Sequence, residues 1–277
     1  MTLQRGIGLP TATALVVGTI IGSSIFVQAS EITNLVPDPM AVVLAWAVAG
    51  ILTLIGALVC AELASAYPRT GGVYVYLKEI YSPLLGFVWG WATFWSMHTG
   101  ILAAIATVFA RYAAFFVPLD DTGLRVVAIG AIVVLSAVNY VGVKFGGSVQ
   151  TAFTAVKVIA VLAIIVLGWA LSGDAALPAT TTELPPVTVM NFSLAVAAGL
   201  FAFGGWHMVT YTAEETVNPT RTIPRSLMIG IAVVTVCYIG LNAVYLRVLP
   251  IEKVMTSSRV AADTFEVLVG TGGAGVI

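Results

Sequence analysis

The chain has 277 residues, 59% hydrophobic and only 9% charged, with a net charge of −1. A soluble domain holds about 45–50% apolar and about 25% charged residues, so this composition cannot clothe a water-facing surface. The near-zero charge excludes a nucleic-acid-binding face, and Cys60 and Cys237, both inside apolar blocks, offer neither a disulfide framework nor metal-ligand spacing.

The N-terminal segment MTLQRGIGLP is short, and the apolar stretch after it is too long and too Gly-rich for a signal-peptide core. Seven apolar blocks follow, at about 10–30, 40–66, 84–117, 124–142, 148–171, 191–213 and 226–249. Each is long enough as a helix to cross about 30 Å of hydrocarbon. The clusters VPDPM, YPRTGG, SGDAALPATTTELPP and NPTRTIP, and the run from Pro118 to Gly123, separate most of them. The third block is long enough to tilt strongly or to leave the bilayer. GTGGAGVI lies in what reads as the start of an eighth helix, so the chain is expected to be truncated relative to a complete protein.

Orientation follows from Lys and Arg. With the N-terminus inside, the inner loops carry Arg5, Arg69, Lys78, Lys144, Arg221 and Arg225, and the outer side Arg111, Arg125, Arg247, Lys253 and Arg259. These totals nearly balance. The first three spans decide, because Arg5, Arg69 and Lys78 fall inside and the first outer loop has no base. A cytoplasmic N-terminus is expected.

The first span reads ALVVGTIIGSSIFVQAS, with Gly18, Gly22, Ser23 and Ser24 near its middle. Small residues in a membrane helix serve close packing or mark a break. The sixth span, LFAFGGWHMVTYTAEET, carries a second candidate break at Gly204 and Gly205. The two lie five spans apart, so they cross in opposite directions, and paired interrupted helices in inverted halves point to a transporter's midplane site. An unwound segment exposes N–H groups at the start of one half-helix, which suit a carboxylate, and carbonyls at the end of the other, which suit an ammonium. Neither GTIIGSSIF nor FAFGGWH contains a charged side chain, and a free amino acid would need none there.

Lys157 stands in the fifth span, about 15 Å from its start. A lysine at that depth either serves function or snorkels to the interface. Glu62 reads as an interface charge and His98 as a packed polar residue. His207 follows the second break, and Asn139 and Asn242 read as helix–helix hydrogen-bond partners. No phosphate loop, nucleophile elbow or zinc-protease motif occurs, so an enzyme has no support.

Three segments carry a family resemblance: Gly18 to Phe26, Ala61 to Trp91 and Leu200 to Leu227. With them the chain resembles the amino acid–polyamine–organocation superfamily, and within it the L-type amino-acid transporters. The resemblance implies an all-α integral membrane protein of the LeuT-type fold, with two inverted five-helix repeats. The first would be residues 1–172, and residues 190–277 would be an incomplete second within a single permease domain. It implies a secondary carrier of L-amino acids, neutral ones foremost, working as an exchanger or proton-coupled symporter. A membrane sensor or channel on the same scaffold is the alternative. The chain by itself is expected to insert without substrate flux, because the last helices of the family fold would be missing.

Carried over residue by residue, the substrate site would comprise Ile20, Ile21, Gly22, Ser23, Ser24 and Ile25 at the first break. Phe201, Ala202, Phe203, Gly204 and Gly205 would form it at the second. The N–H groups of Ser23 and Ser24 would take the carboxylate, carbonyls of Ile20, Phe201 and Gly204 the ammonium, and Phe201 would cover the substrate. Lys157 would stand where sodium-coupled relatives bind an ion, as the coupling residue. The resemblance implies no cofactor and no metal. Two departures stand out: Ser24 replaces the family's usual glycine, and the loop from Phe115 to Leu124 lacks the cysteine that joins animal L-type chains to a heavy chain. No disulfide-linked partner is therefore expected.

Overall fold

The computed structural model describes residues 5–22, 24–114, 116–141, 143–172, 184–257 and 259–270. Among them the secondary structure is helical apart from one isolated bridge between Ile7 and Thr216. The breaker clusters of the sequence act as helix caps. Asp38 accepts a hydrogen bond from the Ala41 N–H at 2.7 Å and opens α3 (Pro39–Ala66). Ser82 does the same at the Leu85 N–H for α5 (Pro83–Ala92), and Thr188 at the Asn191 N–H for α9 (Val189–Ala202). Each oxygen satisfies one of the N–H groups a helix start leaves without partners.

Six described helical stretches are long and apolar enough to cross a bilayer. The first span instead comes as two pieces, α1 (Leu9–Ile20) and α2 (Ser24–Leu35), each of 12 residues and about 18 Å long, too short to cross alone. With this broken span the described residues hold seven stretches that match the expected crossings in length and composition. The third crossing joins α5, a π-helical stretch at Thr93–Met97 and α6 (His98–Ala113). The fourth and fifth are α7 (Asp121–Val141) and α8 (Val143–Leu171). The sixth is α9 followed by a 3₁₀ segment, Trp206–Glu215, and the seventh is α10 (Pro219–Val248). Short helices α4 (Val73–Ile80), α11 (Ile251–Thr256) and α12 (Val260–Val269) lie between and after them. The expected start of an eighth span at 271–277 lies outside the described residues.

The seventh span is the centre of the core, packing on α3, α1 and α8. It is the most buried crossing, whereas α5–α6 and α7 leave nearly their whole apolar surface outward. Small residues let the backbones approach: Gly50 of α3 faces Thr235 of α10, and Gly168 of α8 faces Val244. α1 packs on the 3₁₀ segment while α2 packs on α9, so the two broken spans run side by side in opposite directions. Backbone bonds fix one end of this pair: Gly6 and Ile7 N–H donate to the Glu215 carbonyl, and Val217 N–H to that of Ile7.

Candidate functional site

The break in the first span is a change of hydrogen-bond partner. The Ile21 N–H still reaches back to Val17, but the Gly22 N–H turns to the Ile20 carbonyl at 2.8 Å. The carbonyls of Gly18 and Ile21 lose their helical partners. Lys157 supplies both, its Nζ donating to Gly18 O at 3.0 Å and Ile21 O at 2.6 Å. α8 comes this close because Gly18 has no side chain, since a Cβ there would strike the Thr154 hydroxyl. Thr154 and Lys157 are three residues apart, so they share one helix face. The half-buried charge thus has partners, as a cation inside an apolar span requires.

On the far side of the break α2 begins. Among the described residues the N–H groups of Ser24 and Ile25 have no backbone acceptor, as the first turn of a helix demands. The Gly22 face is open: a Cβ there would meet nothing closer than the Ile20 carbonyl at 3.9 Å. Ser23, the other expected carboxylate donor, lies outside the described residues.

The sixth span unwinds after Ala202. The Gly204 N–H returns to Phe201 O at 3.0 Å, and Gly205 takes φ +106°, where L side chains are strained. A Cβ on Gly205 would also lie 2.9 Å from the Thr19 carbonyl, so the two broken backbones touch at this glycine. Tyr238 of α10 ties them. Its fully buried hydroxyl lies 3.0 Å from Ile20 O and 3.1 Å from Ala202 O, and Ser24 Oγ donates to Ala202 O at 3.4 Å.

The structure therefore brings the two expected segments together but sorts their residues. Ile20, Ile21, Ile25 and Ala202 bury their side chains and offer a ligand only main-chain atoms. Phe203 is a core ring, packed edge-on to Trp46 and tilted against Tyr238. Phe201 is 65% exposed, and Gly204 is also exposed. The Ile20 carbonyl, expected to be free for an ammonium, already receives the Gly22 N–H and lies against the Tyr238 hydroxyl. The Phe201 carbonyl is taken by Gly204.

Other candidates fall elsewhere. Glu62 is exposed. Asn242 donates to Tyr238 O of its own helix, where an inter-helix bond was expected, and the side chain of Asn139 is not among those described. His98 follows the π-helical stretch and lines a cavity of about 450 Å³ with Trp89, Thr93, Phe94 and Tyr211. His207 packs edge-on between Trp206 and Tyr211. Among the described residues no cluster could hold a metal ion. Tyr238 and Thr154 were not singled out from the sequence. Thr154 had a signal, a hydroxyl one helical turn before a membrane lysine, whereas a lone tyrosine in an apolar span has none.

Comparison with known proteins agrees with this architecture. A family model described as amino acid permease matches residues 7–277. The chain is 35% identical over 263 residues to a serine/threonine exchanger, SteT, of Bacillus subtilis, covering 95% of this chain and 59% of that protein. It is 35% identical over 266 residues to the human b(0,+)-type amino acid transporter 1, with 94% and 55% covered. To the rabbit (Oryctolagus cuniculus) large neutral amino acids transporter small subunit 2 it is 32% identical over 286 residues, with 98% and 52% covered. The chain spans a little over half the length of these curated relatives.

Proposed function

The chain belongs to the amino acid permease family, and from that premise we propose that it forms the substrate-binding half of a secondary transporter of neutral L-amino acids. One observation carries the reading: two inverted, interrupted spans meet at a point where the N–H start of one half-helix faces the partly negative carboxyl ends of two others. The N–H groups of Ser24 and Ile25, without a backbone acceptor among the described residues, begin a half-helix and suit a carboxylate. The carboxyl ends of α1 and α9 lie beside them, and their partial negative charge suits an ammonium although the Ile20 and Phe201 carbonyls already accept hydrogen bonds. Phe201, mostly exposed beside the second break, is in this reading the ring that covers the bound molecule. Substrate recognition by main-chain groups leaves the side chain of the amino acid to be read elsewhere, and the open face of Gly22 leaves room for it.

Lys157 plays the coupling part in this scheme. As a fixed cation on the carbonyls of the first break it does what a bound sodium ion would do, holding α8 to that break. The relatives that exchange serine and threonine or carry large neutral amino acids favour uncharged substrates and exchange. We read residues 1–172 as the first inverted repeat and 190–277 as part of the second, in the cell membrane with the N-terminus cytoplasmic. Arg5, Arg69 and Lys78 favour that orientation. The loop at 115–124 has no cysteine, so no disulfide-linked heavy chain is part of this reading.

The test is counterflow in liposomes holding the intact protein. Vesicles preloaded with unlabelled serine, threonine or leucine should accumulate the labelled amino acid saturably. Saturable binding without accumulation would convert the reading to a sensor, and absence of both would end it.

A further inference from the structure

The chain has two histidines, and both stand inside membrane spans. His98 begins α6 in the third span, directly after the π-helical stretch, and His207 follows Gly205 by two residues in the sixth. Both are half-buried, and among the described residues neither imidazole has a hydrogen-bond partner or a counter-charge. The fold brings them together around Tyr211. The His207 ring lies edge-on to Tyr211 at 5.8 Å, and Tyr211 shares the wall of the cavity of about 450 Å³ with His98. A charge on one imidazole is felt at the other.

The surroundings do not neutralise such a charge. No Asp, Glu, Lys or Arg lines the cavity. α4 brings Tyr74 to the wall and Tyr76 within electrostatic range of Tyr211, and α3 brings the Cys60 thiol within the same range. Of the other elements packed on these stretches, α1 has no titratable residue, and α7 and α10 bring none to the wall. Thr93, also on the wall, keeps a buried hydroxyl oxygen without a partner among the described residues. The π-helical turn from Thr93 to Met97 sets the face on which His98 emerges, and such turns are frequent at functional sites. Imidazole is the side chain that gains and loses a proton near neutral pH. An ionisable group inside a span marks function, and here two such groups from different spans oppose each other's charge.

We propose that His98 and His207 form a proton site shared by the third and sixth spans, whose occupancy opposes binding of the amino acid. A charged His207 stands just beyond the second break and repels a substrate ammonium at the carboxyl end of α9. When both rings are charged, they also push the third span from the sixth. The proton passes from water to an imidazole nitrogen lone pair and returns to water as the amino acid binds, and no other bond changes. By linkage the effect is reciprocal: if protons weaken substrate binding, substrate binding expels protons.

This inference rests on the breaks being the amino-acid site. The test uses the intact protein in detergent, with labelled serine and leucine as probes, between about pH 5.5 and about pH 8. The wild type should bind about tenfold more weakly at the acid end, the size of a one-unit coupling between titrating groups. Adding the amino acid near neutral pH in weak buffer should release protons to an indicator dye. His98→Gln and His207→Gln should each flatten the profile and diminish the release while melting close to the wild type. Where a Gln variant melts early, the Asn variant takes its place. A flat wild-type profile, binding without proton release, or a profile that either substitution leaves unchanged would overturn the proposal. A second measurement needs no substrate. Magnetic resonance of labelled imidazoles should show that each substitution displaces the titration midpoint of the remaining histidine by about one unit. Independent titration overturns the shared site even if transport is confirmed. A wild type that binds no amino acid while its imidazoles titrate together would sink the transport reading and uphold the shared site.

Discussion

Replacing Lys157 by Met keeps an unbranched chain of similar length and removes only the ammonium. In the native protein that ammonium makes two short bonds, at 3.0 and 2.6 Å, to carbonyls that the break has stripped of helical partners. Hydrogen bonds to a charged group contribute about 1.5–3 kcal/mol each, less the penalty of desolvating the ammonium. A net loss of about 3 kcal/mol is therefore a fair working figure for the tie between α8 and the first break. Substrate affinity falls with the fraction of molecules whose break is held ready. At about 1.4 kcal/mol per tenfold, the variant should bind its amino acid between about tenfold and about 100-fold more weakly. Equilibrium binding of labelled amino acid, with size-exclusion chromatography in detergent as the folding check, measures this. Lys157→Arg should fall between, since its planar fork carries the charge but not the compact geometry. A Lys157→Met protein that elutes as a single folded species and binds with native affinity would refute the assignment of the two carbonyls to this charge.

Three further substitutions probe the second break. Gly205→Ala puts a side chain at φ +106° and a Cβ 2.9 Å from the Thr19 carbonyl. It should lower stability by about 1–3 kcal/mol and weaken binding at least about tenfold, read by thermal melting and counterflow, and a variant that melts and transports normally would refute the close contact. Phe201→Ala should raise KM with little change in melting, because the ring is mostly exposed. Phe203→Ala should instead lower stability by about 3–5 kcal/mol, because that ring is fully buried, and a reversed pattern would mean the two rings have been assigned the wrong roles.

The breaks were legible in the sequence because two groups of small residues without charges stood inside spans otherwise rich in large apolar residues. Lys157 was legible for the opposite reason, the one charge in the apolar block 148–171. What was not legible depended on helix phase. Phe201 and Phe203 are two residues apart, so they point to opposite sides of α9, and FAF alone does not say which side is the core. Asn242 looked like a bridge between helices and turned out to cap a carbonyl of its own turn. The π-helical stretch at Thr93–Met97 has no proline or glycine within it to announce it. Tyr238 escaped because its role exists only when three separate helices meet at one oxygen.

The pairing of residues 6 and 7 with 215–217 has a consequence for how this protein can diverge. Its bonds run from main chain to main chain, from Gly6 and Ile7 to Glu215 and from Val217 to Ile7. No side chain specifies them, so drift at these positions leaves no trace of the link in an alignment. Only proline at a donor position erases a bond outright, by removing the N–H. Homologues with unrelated residues at both ends can therefore share the same stitch between the start of the chain and the end of the sixth span.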